Sequence, residues 1–406
     1  MKSPKLLLLF LLILYSQALK AQIELSSDST SFWGYPVLEF EVTNNLTFQG
    51  EVGLRAEYML NERFAKNDET QNDTHRFRER VRLRFGAEYH PKKWFTAGFR
   101  FSTGQSTYPP SGWSSFSDDF NRDPVSLDRV YFNLDLEKFQ LRLGSNSNPI
   151  FRPTELVWDG DVQVSGIAEV FKLGHWELIA GQFMLVELRD LFPQEISGST
   201  LYAHGINYDI KRNGELRFGV FHYYYNKPDA IAVGIENGVL DADFKTNRLS
   251  PTDSTSFFSN YNSVGASFYW RHNKWRVVAE GVVNLAAKKD ASLGDAYADK
   301  ENVGAGFLVR YGRLKEDKDW SVELGYFYIE SDATIAAFNS DDLQQTNVHS
   351  IPVWFRYKVL GNTVIVWDTY FQKRIDSSPQ LFVSGGVQHD ENALKVRSRL
   401  TLQVGF

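Results

Sequence analysis

Sixteen stretches of this 406-residue chain alternate apolar and polar residues, and the connections between them switch strictly between short and long. The stretches are 46–60, 76–89, 95–102, 127–136, 139–146, 165–173, 176–184 and 200–210, then 214–225, 260–270, 275–286, 302–312, 320–330, 349–359, 362–373 and 395–406. Period two is the signature of a strand with one apolar and one polar face. Two of the sixteen, 165–173 and 200–210, alternate only weakly. The short connections are 90–93, 137–138, 174–175, 211–213, 271–274, 313–319 and 360–361. The long ones cover 61–75, 103–126, 147–164, 185–199, 226–259, 287–301, 331–348 and 374–394. A soluble sandwich has no reason to gather every long loop at one end. A transmembrane antiparallel up-and-down β-barrel does, with short periplasmic turns and long extracellular loops. The reading is therefore all-β, a barrel of about 16 strands over 46–406, with both termini on the short-turn side.

The N-terminal segment fits export. Lys2 and Lys5 precede an apolar run from Leu6 to Tyr15, and small or polar residues follow as far as Ala21. The run is too short to span a bilayer and reads as the core of a secretory signal peptide over 1–21. Residues 22–45 are then a periplasmic lead-in. No later apolar run approaches the roughly 20 residues of a membrane helix. With no cysteine, the exported chain relies on no disulfide. Loss of Lys2, Lys5 and Lys20 takes the net charge from −6 to −9, which argues against nucleic-acid binding.

Aromatic residues mark the short turns. Trp94, Trp176, Trp275 and Trp320 each sit just past one, usually after Lys or His, and Phe406 ends the last strand. Together they predict a periplasmic interfacial girdle. With the apolar parity facing lipid, Arg76, Arg78, Arg80, Arg82 and Arg84 form a ladder on one lumen-facing strand, and Arg100 joins it from the next. Such a wall draws anions. Cross-strand pairing with Glu51, Glu57 and Glu88 would instead make it a structural feature. Metal-site spacing is absent from the eight His residues and from the acidic loop patches, such as Asp341-Asp342. His204 and His222 lie on neighbouring strands and could pair. No nucleophile elbow, P-loop or dinucleotide fingerprint appears, so neither cofactor nor metal is expected and the chain does not read as an enzyme.

Residues 146–161 hold the most distinctive local sequence, with Asn148-Pro149 followed by Thr154-Glu155-Leu156-Val157-Trp158-Asp159-Gly160-Asp161. Preceded by Leu141-Arg142-Leu143-Gly144 and followed by Gly166, it resembles the putative porins of Gram-negative bacteria. The stretch around Arg80–Gly86, Trp94 and Phe99-Arg100 is similar to the alginate-export type of barrel. The final strand, ending on Phe406, resembles the C-terminal signal that the outer-membrane insertion machinery reads. These resemblances imply a passive outer-membrane channel for small hydrophilic solutes, in contact with lipid, lipopolysaccharide and the barrel-assembly machinery. They also imply a third long loop, 147–164, that folds inward and narrows the channel. Glu155, Asp159 and Asp161 would then face the Arg76–Arg84 wall, although Asp159-Gly160-Asp161 also reads as plain turn chemistry. A homotrimer is possible. A barrel enzyme and a loop-mediated adhesion barrel are the competing classes.

Overall fold

The computed structural model describes residues 38–43, 45–62, 75–104, 110–116, 124–188, 198–211, 214–240, 246–376 and 393–405. Its strands are β1 (Leu38–Thr43), β2 (Leu46–Leu60), β3 (Arg76–Lys92), β4 (Phe95–Thr103), β5 (Ser114–Ser115), β6 (Val125–Leu136) and β7 (Phe139–Ser147). They continue with β8 (Gln163–Leu173), β9 (Trp176–Val186), β10 (Ser199–Lys211) and β11 (Glu215–Asn226). Helix α1 (Asp229–Glu236) and a hairpin of β12 (Leu249–Ser250) and β13 (Asp253–Phe257) interrupt the series. The last seven are β14 (Asn262–His272), β15 (Trp275–Asn284), β16 (Val303–Gly312), β17 (Trp320–Ile329), β18 (Val348–Leu360), β19 (Thr363–Arg374) and β20 (Lys395–Gly405).

Sixteen of these, β2–β4, β6–β11 and β14–β20, pair antiparallel in chain order. The ring closes where β20 pairs with β2, from Glu51↔Gly405 to Leu60↔Val396. Sixteen strands in an antiparallel barrel enclose a channel-sized lumen rather than a packed side-chain core. Each strand matches its sequence stretch to within about two residues at most ends. The seven short turns and eight long loops fall where the alternation put them.

One element differs from the sequence reading. Residues 38–43, expected in the lead-in, form β1, which pairs with β2 from Leu38↔Gly50 to Thr43↔Leu46. β1 thus occupies the same edge of β2 as β20, end to end with it. It satisfies the backbone groups of β2 that β20 stops short of, and an unpaired strand edge is costly in lipid. Residues 1–37 and Phe406 lie outside the described residues.

The outward parity is apolar: Leu54, Leu83, Phe85, Phe101, Phe132, Val220, Phe307 and Leu400 all expose large side chains. No helix among the described residues is long and apolar enough to cross a membrane. Trp94, Trp176, Trp275 and Trp320 are each about half exposed at the short-turn ends. Trp176 packs on Tyr208 at 4.6 Å between ring centroids, and Tyr311 lies between Trp275 at 4.9 Å and Trp320 at 6.0 Å.

Inside, the barrel is asymmetric. Much of the lumen-facing surface of β8–β11 and β14–β18 is apolar, including Val164, Leu201, Phe221, Tyr223, Val282, Leu308 and Phe327. These pack with loop residues Leu156, Trp158, Ile231 and Phe338 into one buried cluster. This explains the weak alternation of 165–173 and 200–210. Ala168, Val170, Leu201 and Ala203 point inward yet are buried against a loop core, so the lumen face of those strands is apolar where the alternation expects polar residues.

Candidate functional site: a loop plug facing an arginine wall

The 148–162 loop crosses into the lumen and is tied to the apolar side of the barrel. Asn148 Nδ2 donates to the Tyr223 hydroxyl at 3.0 Å, and Ser267 Oγ donates to the Phe151 carbonyl at 3.2 Å. On β15, one oxygen of the Glu280 carboxyl accepts both the Thr154 backbone N–H at 3.1 Å and its hydroxyl at 2.8 Å. Trp158 is fully buried, stacks on Phe338 at 5.1 Å, and donates Nε1 to the Val162 carbonyl at 3.0 Å. Pro149 lines a small interior cavity beside Arg142 and Phe183.

A second loop, 330–347, packs over the first. Asn339 Nδ2 donates to the Leu156 carbonyl at 2.9 Å, the Asp159 N–H to the Phe338 carbonyl at 2.8 Å, and Ser340 Oγ to Glu155 at 2.8 Å. It is anchored in turn by Arg248, whose Nη2 lies 2.8 Å from Asp332, both side chains fully buried. Its Asp341 and Asp342 therefore lie inside the barrel. The sequence places them only among the acidic patches of the long loops.

Together the two loops present five carboxyl groups, Glu155, Asp159, Asp161, Asp341 and Asp342, across a gap of about 40 Å³. That is room for a few waters. The opposite wall carries Arg55, Arg82 and Arg399, with Trp113 from a third inward loop and Trp354 and Tyr370 beside them. Trp113 lies under two of these guanidinium groups, with Arg55 Cζ at 3.8 Å and Arg82 Cζ at 4.6 Å from its ring. Gly53 makes space for it, since a Cβ there would come within 2.6 Å of the Trp113 ring.

The carboxyl groups divide by environment. Burial would raise Asp161, but Arg84 and Arg82 hold it well below the usual range; Arg84 Nη2 donates to it at 2.6 Å. Asp342 is likewise held low against burial by Arg399 and Arg397. Glu155 shifts the other way. Burial, with Asp342 and Asp161 nearby, pushes it up to about 8. Burial and the adjacent Glu155 also raise Asp159.

The arginine ladder points inward along β3 as the alternation required, and most of its charge is matched. Arg78 pairs with Glu57, Arg82 with Glu51 at 2.5 Å, Arg84 with Asp161, and Arg100 with Asp128 at 2.5 Å. Arg76 sits at the loop end, 42 % exposed, against Glu62 at 2.9 Å. On β20, Arg397 holds Glu57 at 2.7 Å and Arg399 holds Asp368 at 2.5 Å. Arg80 and Arg55 differ. Arg80 donates to Ser111 Oγ at 3.0 Å and to the Trp113 carbonyl at 2.8 Å, and Arg55 to Thr401 Oγ1 at 3.1 Å. Neither has a carboxylate within 4 Å among the described residues.

Of the three acids expected to oppose the ladder, Asp161 alone is ion-paired to it. Glu155 is turned to Ser340 and the Gly160 N–H, and an Asp159 oxygen accepts the Asp161 N–H at 2.6 Å, the turn chemistry weighed as its alternative. Arg55, Trp113 and the Asp341-Asp342 pair were missed. A lone Arg55 amid Leu54 and Ala56 carries no distinguishing pattern. His204 and His222 do pair, Nδ1 to Nδ1 at 3.2 Å, but on the outer face.

Residues 41–247 match the model of a family described as Putative porin. No curated protein matches the sequence. Among solved structures, the fold is similar to OmpF of Salmonella typhi in complex with daunomycin. The identity is 9 %, over 91 % of this chain and 100 % of that one, with a TM-score of 0.55. It is also similar to OprB of Pseudomonas putida in its high-pH structure, at 12 % identity over 89 % and 94 %, with a TM-score of 0.52. At these identities the likeness concerns the fold alone.

Proposed function

This chain belongs to the Putative porin family, and from that premise, as an outer-membrane porin-like channel, we propose that it passes small hydrophilic solutes passively and favours anions. Its outer belt and tryptophan girdle would be solvated by outer-membrane lipid and lipopolysaccharide, and its terminal strand would engage the barrel-assembly machinery during insertion. The apolar cluster fills one side of the lumen, so the path for solute runs along the arginine wall. Charges already matched by a neighbouring carboxylate contribute little net potential at the gap. The observation that carries the anion preference is that Arg55 lines the gap and Arg80 is bonded to Ser111 and Trp113 of its lining, each with only neutral hydrogen-bond partners. Unmatched guanidinium groups between low-dielectric walls raise the local concentration of anions. The narrow gap limits the solute to small molecules, and burial, which favours the protonated forms of Glu155 and Asp159, leaves the opposite wall less negative than its composition suggests.

Reversal potentials across planar bilayers under a potassium chloride gradient test this. Arg55→Gln with Arg80→Gln should shift the potential towards cation selectivity. Arg100→Gln should shift it less, because that charge is already matched by Asp128. An unchanged potential in the double variant would sink the reading.

A further inference from the structure

The outward face of β8–β11 carries polar groups at a depth where lipid offers them no partner. Glu169, Ala180, His204 and His222 are successive cross-strand partners on β8, β9, β10 and β11, and all four point outward. Gln182 lies two residues along from Ala180 on the same face. Trp176 and Tyr208 mark the periplasmic girdle on these strands. His204 stands four residues further in than Tyr208, about 13 Å along the strand. That places it within an apolar band about 25 Å tall.

The two imidazole rings are stacked at 5.4 Å, and His222 Nε2 lies 2.6 Å from Asn262 Oδ1. Glu169 is exposed and has no cation or hydrogen-bond donor among the described residues. A carboxylate and two imidazoles held against acyl chains cost several kcal/mol. Acyl chains cannot offset that, and lipid phosphates lie at the edge of the band rather than inside it. A protein surface of complementary charge can.

We propose that a second copy of this chain packs on this face, about a two-fold axis along the membrane normal that passes over Ala180. The face is self-complementary in the way an isologous contact requires. Glu169 lies one strand to one side of β9 and His204 one strand to the other, so the rotation sets Glu169 of each copy against His204 of the other. Strand tilt offsets the two by roughly 6 Å in height, a distance the two side chains span. Ala180 between them is small enough to let the β9 backbones approach. Two-fold pairing on this face differs from the homotrimer that the sequence leaves possible.

The chain contains no cysteine, so Ala180→Cys is a single-site reporter. Oxidation of the full-length variant in outer membranes should give a disulfide-linked species of twice the monomer mass. Leu400→Cys, on β20 across the barrel, should not. Glu169→Gln in the Ala180→Cys background should lower the cross-linked yield severalfold, with heat-modifiable gel migration confirming that each variant is folded. Light scattering of the detergent-solubilised wild type should give two copies. A folded Ala180→Cys variant that stays monomeric on oxidation, or cross-links to a species of any other mass, would overturn the proposal. So would a wild-type mass of one or three copies.

Discussion

Replacing Glu280 with leucine should free the plug without unfolding the barrel. The two side chains are similar in size, so little void is created. What disappears is the acceptor for the Thr154 N–H and hydroxyl, at 3.1 Å and 2.8 Å. Two hydrogen bonds contribute about 1 kcal/mol each, and a buried N–H left without a partner costs about 1–3 kcal/mol more. A loss of about 3 kcal/mol raises the open population of this part of the loop roughly a hundredfold. Asn148–Tyr223 and Ser267–Phe151 remain, so the loop should loosen around 153–157 rather than leave the lumen. Hydrogen exchange of the Thr154 and Leu156 amides reads the opening directly, and open-channel current noise reads its consequence. Thr154→Val, which keeps the Thr154 N–H bond to Glu280, should give a smaller rise in noise and in exchange at the Thr154 amide, while the Leu156 amide loses the hydroxyl it donates to. Wild-type exchange and noise in Glu280→Leu would show that the packing of Trp158 on Phe338 holds the loop, not this clamp.

The anion preference should itself depend on pH. Glu155 is protonated below about 8 and gains a negative charge above it, so selectivity for anions should fall as pH rises, with a midpoint near 8. A flat profile in wild type, or an unaltered titration in Glu155→Gln, would remove Glu155 from the gap's electrostatics. The same raised value makes the folded chain bind a proton that the unfolded chain releases. Glu155 should therefore lower stability as pH climbs from the ordinary carboxylate range towards 8. On the wall of β17, fully buried Glu323 binds Arg276, Arg310 at 2.9 Å and Arg356 at 2.8 Å. Glu323→Gln removes the carboxylate that three guanidinium groups share and should cost about 3–5 kcal/mol, read as a lower temperature for the heat-induced gel shift. An unshifted transition would mean that water or other wall residues compensate.

Strand positions, pairing order and barrel closure were written in the chain because each depends on a local regularity. Lipid outside and a polar lumen inside force period two, and a cylinder with one short-turn end forces alternating connection lengths. β1 was passed over as lead-in, although Leu38-Glu39-Phe40-Glu41-Val42-Thr43 alternates. The inward direction of the Arg78–Arg84 ladder follows from parity alone. Which of those arginines keep an unmatched charge does not, because Glu51 and Asp161 approach Arg84 from places far away in sequence. The long loops have no period to read. Their course was decided by a hydrophobic core assembled from 148–162, α1, 246–261 and 330–347 against one side of the barrel. That core brought Asp341 and Asp342 into the lumen, while pairing of β5 with β3 and the Arg80 bonds to Ser111 and Trp113 set Trp113 under Arg55. Period two determines a wall residue by residue, whereas the gap is set by distances between segments that meet only once the barrel has closed around them.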